Sequence, residues 1–225
     1  MKALVIGSSG GIGAALVERL HADPGFETIA TLSRSEHGFD IGDEKSIADA
    51  AQAFRVEHGA FDLIINAAGA LVIDGKSPEK TIKTLDADGM MAQFRVNAVG
   101  PALLLKHFHH LLPRQTRGVF ASLSARVGSI GDNRLGGWIS YRAAKAAQNQ
   151  IVRTAAIEIA RTHPEAIVLT LHPGTVATRL SQPYSKGHET FTPDFAAASL
   201  LKVIANLQPS QTGGFFSYSG QSIDW

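Results

Sequence analysis

The chain has 225 residues, 44% of them hydrophobic, with a formal net charge of +1 and no cysteine. That length and apolar content suit a single domain spanning residues 1–225 around one large core. The small net charge gives no electrostatic case for nucleic acid as a partner, and the missing thiols exclude disulfides and thiolate metal sites and fit a reducing cytoplasm.

The first residues, Met1 to Ile6, imitate the start of a signal peptide, but the apolar run breaks at Gly7 and soon meets Glu18 and Arg19. No uninterrupted apolar stretch reaches the ~18 residues that a membrane span needs. The sequence therefore predicts a soluble, cytoplasmic protein with no membrane partner. Short runs rich in β-branched or aromatic residues lie at 2–6, 28–32, 63–66, 119–123, 167–171 and 214–218, with a further short strand expected near 39–40. Such continuous apolar runs suit strands covered on both faces. Helical patterns lie between them at 12–21, 46–58, about 90–111, 141–162 and 194–206. The alternation predicts an α/β doubly wound Rossmann fold, a mostly parallel seven-stranded sheet with helices on both faces.

The first strand runs directly into Gly7-Ser-Ser-Gly-Gly11-Ile-Gly13, and a helix follows. Glycines are needed where a backbone turns tightly or must touch a pyrophosphate, and a helix N-terminus adds free N–H groups and partial positive charge. A tight strand-to-helix turn with no ligand is the bland alternative. The strand and helix context favours nucleotide binding by Gly7, Ser9, Gly10, Gly11, Ile12 and Gly13. No Gly-Lys-Ser/Thr follows, so a P-loop is excluded.

Further on, Tyr141 and Lys145 stand four residues apart in a helical pattern, which sets a phenol and an ammonium on one face. A fixed cation beside a phenol favours the phenolate and brings its pKa toward the working range for acid–base catalysis. A solvated Tyr and Lys on a helix surface is the commoner meaning of such a pair, so the rest of the chain must decide.

Five ordered motifs do so: the glycine loop, Asn66-Ala67-Ala68-Gly69, Asn97-Ala-Val-Gly100, Tyr141-x-x-x-Lys145 and Pro173-Gly174-Thr-Val176-Ala-Thr178. Together they resemble the short-chain dehydrogenase/reductase family over nearly the whole length, although Ile6 stands where that family usually has Thr. Gly128-Ser-Ile-Gly-Asp-Asn133 with Gly136-Gly-Trp138 looks more narrowly like its C-factor and sniffer-type carbonyl reductase branch. The resemblance implies an enzyme interconverting a ketone or aldehyde and an alcohol. Tyr141 would be the acid in reduction and the base in oxidation, and Lys145 would tune it and hold the nicotinamide ribose. Asn97 would lie in a helix disturbed by Gly100-Pro101, its freed carbonyl holding a water that links Lys145 to solvent; a buried packing role is the alternative. By the same likeness Val176 contacts the carboxamide and Thr178 lies near the amide or phosphates.

Cofactor choice turns on the end of the second strand, where a carboxylate suits NAD and an Arg suits a 2′-phosphate. Here the strand runs into Ser33-Arg34-Ser35, with no acid until Glu36. NADP(H) is favoured over NAD(H), with Arg34 pairing the phosphate, Ser33 offering a hydroxyl, and Asp40-Ile41 bordering adenine. Arg34 as a solvated loop cation and Asp40 as a plain turn residue are the alternatives.

The serine is where the pattern departs from the family. The strand ends Ala121-Ser122-Leu123-Ser124-Ala125-Arg126, and counting back from Gly128 the usual catalytic hydroxyl falls on Ala125. Ser124 is the expected substitute, Ser122 the runner-up by period two, and either can be structural. The segment 174–193, with Tyr184 and His188, is the expected substrate lid, and Trp138 with Gly136-Gly137 another wall. His107, His109 and His110 share a helix, but with no acid or Cys expected nearby they predict a solvated or subunit-contact face and no metal site. By the family resemblance, the helices around 90–111 and 141–162 would pack across a dimer axis, which implies a homo-oligomer, dimer or tetramer. A dinucleotide-binding regulatory or signalling protein, C-factor-like, is the competing function, and a lyase or epimerase on the same scaffold is a third.

Overall fold

A computed structural model describes residues 1–178 and 190–225. Six parallel strands form its sheet: β1 (Lys2–Ile6), β2 (Thr28–Leu32), β3 (Leu63–Asn66), β4 (Gly118–Leu123), β5 (Ala166–His172) and β6 (Phe215–Ser217), in the order β2-β1-β3-β4-β5-β6. The strand order reverses between β1 and β3. Ligands of such sheets bind outside the carboxyl ends at this switch point, and both the glycine loop after β1 and the Asn66–Gly69 turn after β3 open onto it.

Strand alternation explains the two cores. Leu4, Ile6, Ile64, Phe120 and Val168 face one way and pack with α3 (Glu44–His58), α5 (Gly100–Phe108) and α6 (Ile139–Ile159). Ala3, Val5, Ile65, Val119 and Leu169 face the other way and meet α1 (Gly11–Ala22) and α7 (Pro193–Asn206). Fully covered strands of this kind need no polar face, which is why their sequences read as unbroken apolar runs.

One expectation is corrected. The seventh strand near 39–40 does not form, and β2 is the sheet edge. A short helix α2 (Arg34–His37) instead follows β2 and ends on Gly38 in the left-handed conformation, φ 64°. Asp40 then accepts from Gly42 N at 2.8 Å and donates its own N–H to Ser46 Oγ at 3.0 Å, so local turn bonds take the backbone groups that a strand would use.

The helix expected over about 90–111 is broken. It runs as α4 (Ala87–Phe94), a π-helical turn Arg95–Val99, α5, and a 3-10 turn His109–Leu111. Pro101 has no N–H, so the carbonyl of Asn97 loses its regular α-helical donor, and Gly100 N reaches back five residues to Arg95 O. Gly100 also lets α5 press onto Ile41, where a Cβ would stand 2.7 Å from Ile41 Cγ1. No described helix is long and apolar enough to cross a membrane.

Candidate active site

Helix α6 carries the centre of the site. Trp138, left-handed at φ 53°, precedes it without a capping side chain, and Glu79 supplies the missing acceptors. Its backbone carbonyl accepts from Trp138 N at 2.6 Å, and its carboxylate accepts from Ser140 N at 3.3 Å and from the Ser140 hydroxyl. One turn into the helix, Tyr141 and Lys145 lie on the same buried face, with Lys145 Nζ 5.8 Å from the centre of the Tyr141 ring. Trp138 meets that ring edge-on, the centroids 6.2 Å apart.

Lys145 is fixed by donating to Leu123 O at 3.2 Å and to Gln148 Oε1 at 2.8 Å. Gln148 Nε2 in turn donates to Ser122 Oγ at 2.9 Å, which also accepts from Asn66 Nδ2 at 2.9 Å. Asn66 Oδ1 takes the Ala68 N–H at 3.0 Å. A continuous buried chain of hydrogen bonds thus ties the ends of β3 and β4 to Lys145. Gln148 carried no sequence signal, because the third position after the Lys belongs to no motif.

The electrostatics differ from the sequence expectation. Burial pushes the Tyr141 phenol above its ordinary pKa rather than letting Lys145 pull it down, and burial lowers the Lys145 ammonium to about 7. The ammonium sits over the aromatic face and is held by Leu123 and Gln148, so desolvation outweighs the cation's pull on the phenol.

Asn97 lies in the π-helical turn, 1% exposed. Its Nδ2 donates to Ala70 O and to Gln93 Oε1, both at 2.8 Å, and its Oδ1 accepts from Ala70 N at 3.2 Å. Gly69 sits between it and α6: a Cβ there would be 3.2 Å from Asn97 Oδ1 and 3.7 Å from Lys145 Nζ. The structure therefore brings together Asn66–Gly69, Asn97 and Lys145.

Neither expected serine is directed at Tyr141. Ser124 is 5% exposed and donates to Asn149 Oδ1 at 2.7 Å, while Ser122 belongs to the chain just described. Both lie on the sheet face that packs against α6, as their even spacing requires. Ala125, extended at φ −140°, brings only a methyl group.

The glycine loop is built as its spacing implies. Gly7 has φ 83° and a Cβ there would lie 2.6 Å from Ala68 N, while a Cβ on Gly13 would overlap the Gly7 carbonyl. Ser9, Gly10 and Gly11 are exposed around the N-terminus of α1, whose first turn has no acidic residue; Ile12 is half-buried. Thr178 closes over this point, its Cγ2 2.8 Å from where a Gly11 Cβ would be. After β5, Pro173 leads to Gly174 at φ 82°, and the Thr175–Ala177 backbone pairs with Phe191 around the buried Val176. Tyr184 and His188 lie outside the described residues.

Beyond the end of β2 the structure forms an open groove. Arg34, Gly38, Asp40, Gly42, Ala70 and Val99 line a groove of about 960 Å³, with Arg34 and Asp40 exposed. Ser33 and Ile41 are buried in this structure. Ser33 is 1% exposed and its hydroxyl donates to Glu36 Oε2 at 3.0 Å, whereas Ile41 is buried in the core against Gly100. Glu36, the first acid past β2 in sequence, is folded back by the single turn of α2 so that its carboxylate meets the end of β2.

These residues fit a dinucleotide. Ser8 Oγ, buried in the glycine loop, has no hydrogen-bond partner, and the helix end beside it offers uncommitted donors. Among the described residues no group of three or more His, Cys, Asp or Glu is placed to hold a metal. The expectation of no acid near the histidine-rich helix is itself corrected, because Glu44 lies 3.1 Å from His107 Nε2 and also binds Lys106.

A model of the short chain dehydrogenases matches residues 1–189. The chain belongs to that family, the NAD(P)-dependent oxidoreductases acting on CH–OH or carbonyl groups. Among its relatives, the 1-hydroxy-2-glutathionyl-2-methyl-3-butene dehydrogenase of Rhodococcus sp. (strain AD45) is 31% identical over 99% of this chain and 98% of its own length. The C-signal of Myxococcus xanthus is 32% identical over 78% of this chain and 99% of its own. In fold, the chain is similar to the carbonyl reductase Sniffer of D. melanogaster, with a TM-score of 0.84 and 20% identity over 100% of this chain and 99% of that one. An NADPH-bound carbonyl reductase from chicken fatty liver gives a TM-score of 0.85 and 22% identity over 100% and 94%.

Proposed function

We propose that this chain, acting as one unit over residues 1–225, is an NADP(H)-dependent oxidoreductase that interconverts a ketone or aldehyde with an alcohol. The observation that carries the reading is the pairing of Tyr141 and Lys145 on one buried face of α6, 5.8 Å from ring centre to ammonium, at the sheet edge onto which the glycine loop opens. A pure binding protein has no use for that pair.

Gly7, Ser8, Gly11, Gly13 and the N-terminus of α1 would hold the pyrophosphate, with Asn66–Gly69, Val176 and Thr178 lining the rest of the crevice and Lys145 reaching the ribose. Bound NADPH supplies the hydride. Tyr141 gives its proton to the developing alkoxide, and burial suits that role by keeping the phenol protonated until the alkoxide forms. The Asn66–Ser122–Gln148 chain holds Lys145 in place, and Asn97 ties the π-helical turn to Ala70 beside it. Arg34 in the open groove supports the preference for a 2′-phosphate, while Glu36 on Ser33 works against it.

The test is NADPH oxidation with a panel of ketones and aldehydes, among them a glutathione-conjugated one because of the Rhodococcus relative's name, run beside Tyr141→Phe. Turnover that disappears in Tyr141→Phe supports the reading; no turnover in the parent sinks it. The likeness to C-signal and the methyl group at Ala125 favour a second reading, a dinucleotide-binding regulator, which that null result would select.

A further inference from the structure

Carbonyl reduction needs a second donor besides the acid, aimed at the oxygen on which charge develops. Ser124 donates to Asn149, Ser122 is 0% exposed where it accepts from Asn66 and Gln148, and Ala125 brings a methyl group, so the family position at the end of β4 carries no hydroxyl for that task.

The neighbouring strand brings another group to the same point. Ser124 N donates to Leu171 O at 2.7 Å, so the carboxyl ends of β4 and β5 are pinned together there. One residue beyond Leu171 and two beyond Ser124, the N–H following Ala125, that of Arg126, donates to Nδ1 of His172 at 3.3 Å. The imidazole thus lies one peptide unit from the place of the absent hydroxyl, immediately before the Pro173-Gly174 turn. The 3-10 turn Arg126–Gly128 connects this corner to the catalytic helix, because Gly128 packs on Lys145, where a Cβ would lie 2.9 Å from Lys145 Cβ.

The tautomer follows from the bond. A nitrogen that accepts an N–H carries no proton of its own, so the ring proton is on Nε2. His172 Nε2 has no partner among the described residues, and it is not one of the sealed, unpartnered atoms, which are Ser8 Oγ, His163 Nε2 and Thr170 Oγ1. Burial, followed by the nearby Arg126, holds the ring's pKa down to about 4, with Asp132 opposing weakly. The imidazole is therefore neutral at physiological pH, and a neutral imidazole is a competent electrophilic donor to a carbonyl oxygen.

We propose that His172, through Nε2–H, donates the hydrogen bond to the substrate oxygen that a serine hydroxyl gives in the family pattern. The inference rests on the oxidoreductase reading, and its test separates the two. In ¹⁵N-histidine spectra of the parent at pH 7, assigned with His172→Gln, His172 should be protonated on Nε2. With NADP⁺ at saturation, adding trifluoroethanol as an alkoxide-like probe should move that Nε2–H resonance. Protonation on Nδ1, or a resonance indifferent to the probe, overturns the proposal whether or not the protein turns over a carbonyl.

Kinetics give a second arm. His172→Ala should lower kcat by about a hundredfold, the scale for loss of one oxyanion donor, with the Kd for NADPH unchanged. Adding Ala125→Ser to that variant should recover roughly tenfold by restoring a hydroxyl at the family position. Turnover by His172→Ala within about twofold of the parent overturns the proposal. A loss that neither Ala125→Ser nor His172→Gln relieves, in folded protein, does so equally.

Discussion

Lys145 Nζ donates to Gln148 Oε1 at 2.8 Å, and through that amide the lysine is bound to a side chain on each of two strands. Gln148 is 0% exposed and its amide is used on both sides. Removing it leaves Lys145 short of an acceptor and Ser122 short of a donor, each in a place water does not reach. Lys145 keeps Leu123 O and Ser122 keeps Asn66 Nδ2, so Gln148→Leu should cost about 2–4 kcal/mol by urea unfolding, the sum of one charge-assisted and one neutral buried hydrogen bond. It should also lower kcat, as Lys145 loses its fixed position. Stability equal to the parent's would show that the chain of amides is incidental.

Burial of Lys145 sets the sign of a pH dependence. Its folded pKa of about 7 lies below the ordinary value of 10.5 that it has in the unfolded chain, so between those limits the unfolded chain binds more protons. Stability should then rise with pH through that window for this group, because the penalty for burying the ammonium is relieved as it deprotonates. Tyr141 acts oppositely and only above its ordinary value of 10.0, where the unfolded chain ionises first. Urea midpoints of the parent and Lys145→Met measured at pH 7 and pH 9 check this: the parent should gain on the variant as pH rises. An unchanged difference would place the ammonium in contact with solvent.

How much of this was legible beforehand depends on the range of each interaction. Glycine at 7 and 13 and the Tyr141–Lys145 spacing act within one turn, and the geometry follows from the local pattern. The break at Asn97 was equally readable, since Pro101 removes a donor whatever surrounds it. The absent strand at 39–40 was not, because a strand exists only if an edge accepts it, and local turn bonds took its polar groups first. Ser33 and Ser124 failed for another reason. A sequence shows that a hydroxyl is present but not that Glu36 or Asn149 already holds it. His172 and Glu79 lie in no spacing motif with Tyr141, and only the folded chain brings them to the two ends of the site.

Arg34 and Glu36 pull the cofactor choice in opposite directions from the two ends of α2. Arg34 lines the open groove, while Glu36 accepts from the Ser33 hydroxyl at 3.0 Å at the end of β2. Arg34→Ala should raise the Kd for NADPH about tenfold, the loss of one charge-assisted contact, and leave that for NADH nearly unchanged. Glu36→Gln should tighten NADPH, because a carboxylate beside a 2′-phosphate is repulsive. Fluorescence titration with both dinucleotides measures the four effects. Equal weakening of NADH and NADPH by Arg34→Ala would mean that the guanidinium does not read the phosphate.

Glu79 acts on Tyr141 from the helix end. Trp138 offers no capping side chain, so the first N–H groups of α6 depend on a residue about sixty positions earlier in sequence for acceptors. Glu79→Ala removes the carboxylate from Ser140 N and Oγ but leaves the backbone bond to Trp138 N, so the helix should still start in place with a looser first turn. The expected stability loss is about 1–2 kcal/mol, the range for a missing N-terminal cap. A shift of the Tyr141 oxygen by a fraction of an ångström should cost roughly tenfold in kcat. KM should change little, since Glu79 binds the helix and not the crevice. Glu79→Gln, which keeps an acceptor for Ser140, should restore most of both losses. If Glu79→Ala lowered stability without touching kcat, the clamp would be structural only, and the position of the phenol would be set by its edge-on contact with Trp138 and by Lys145 behind it.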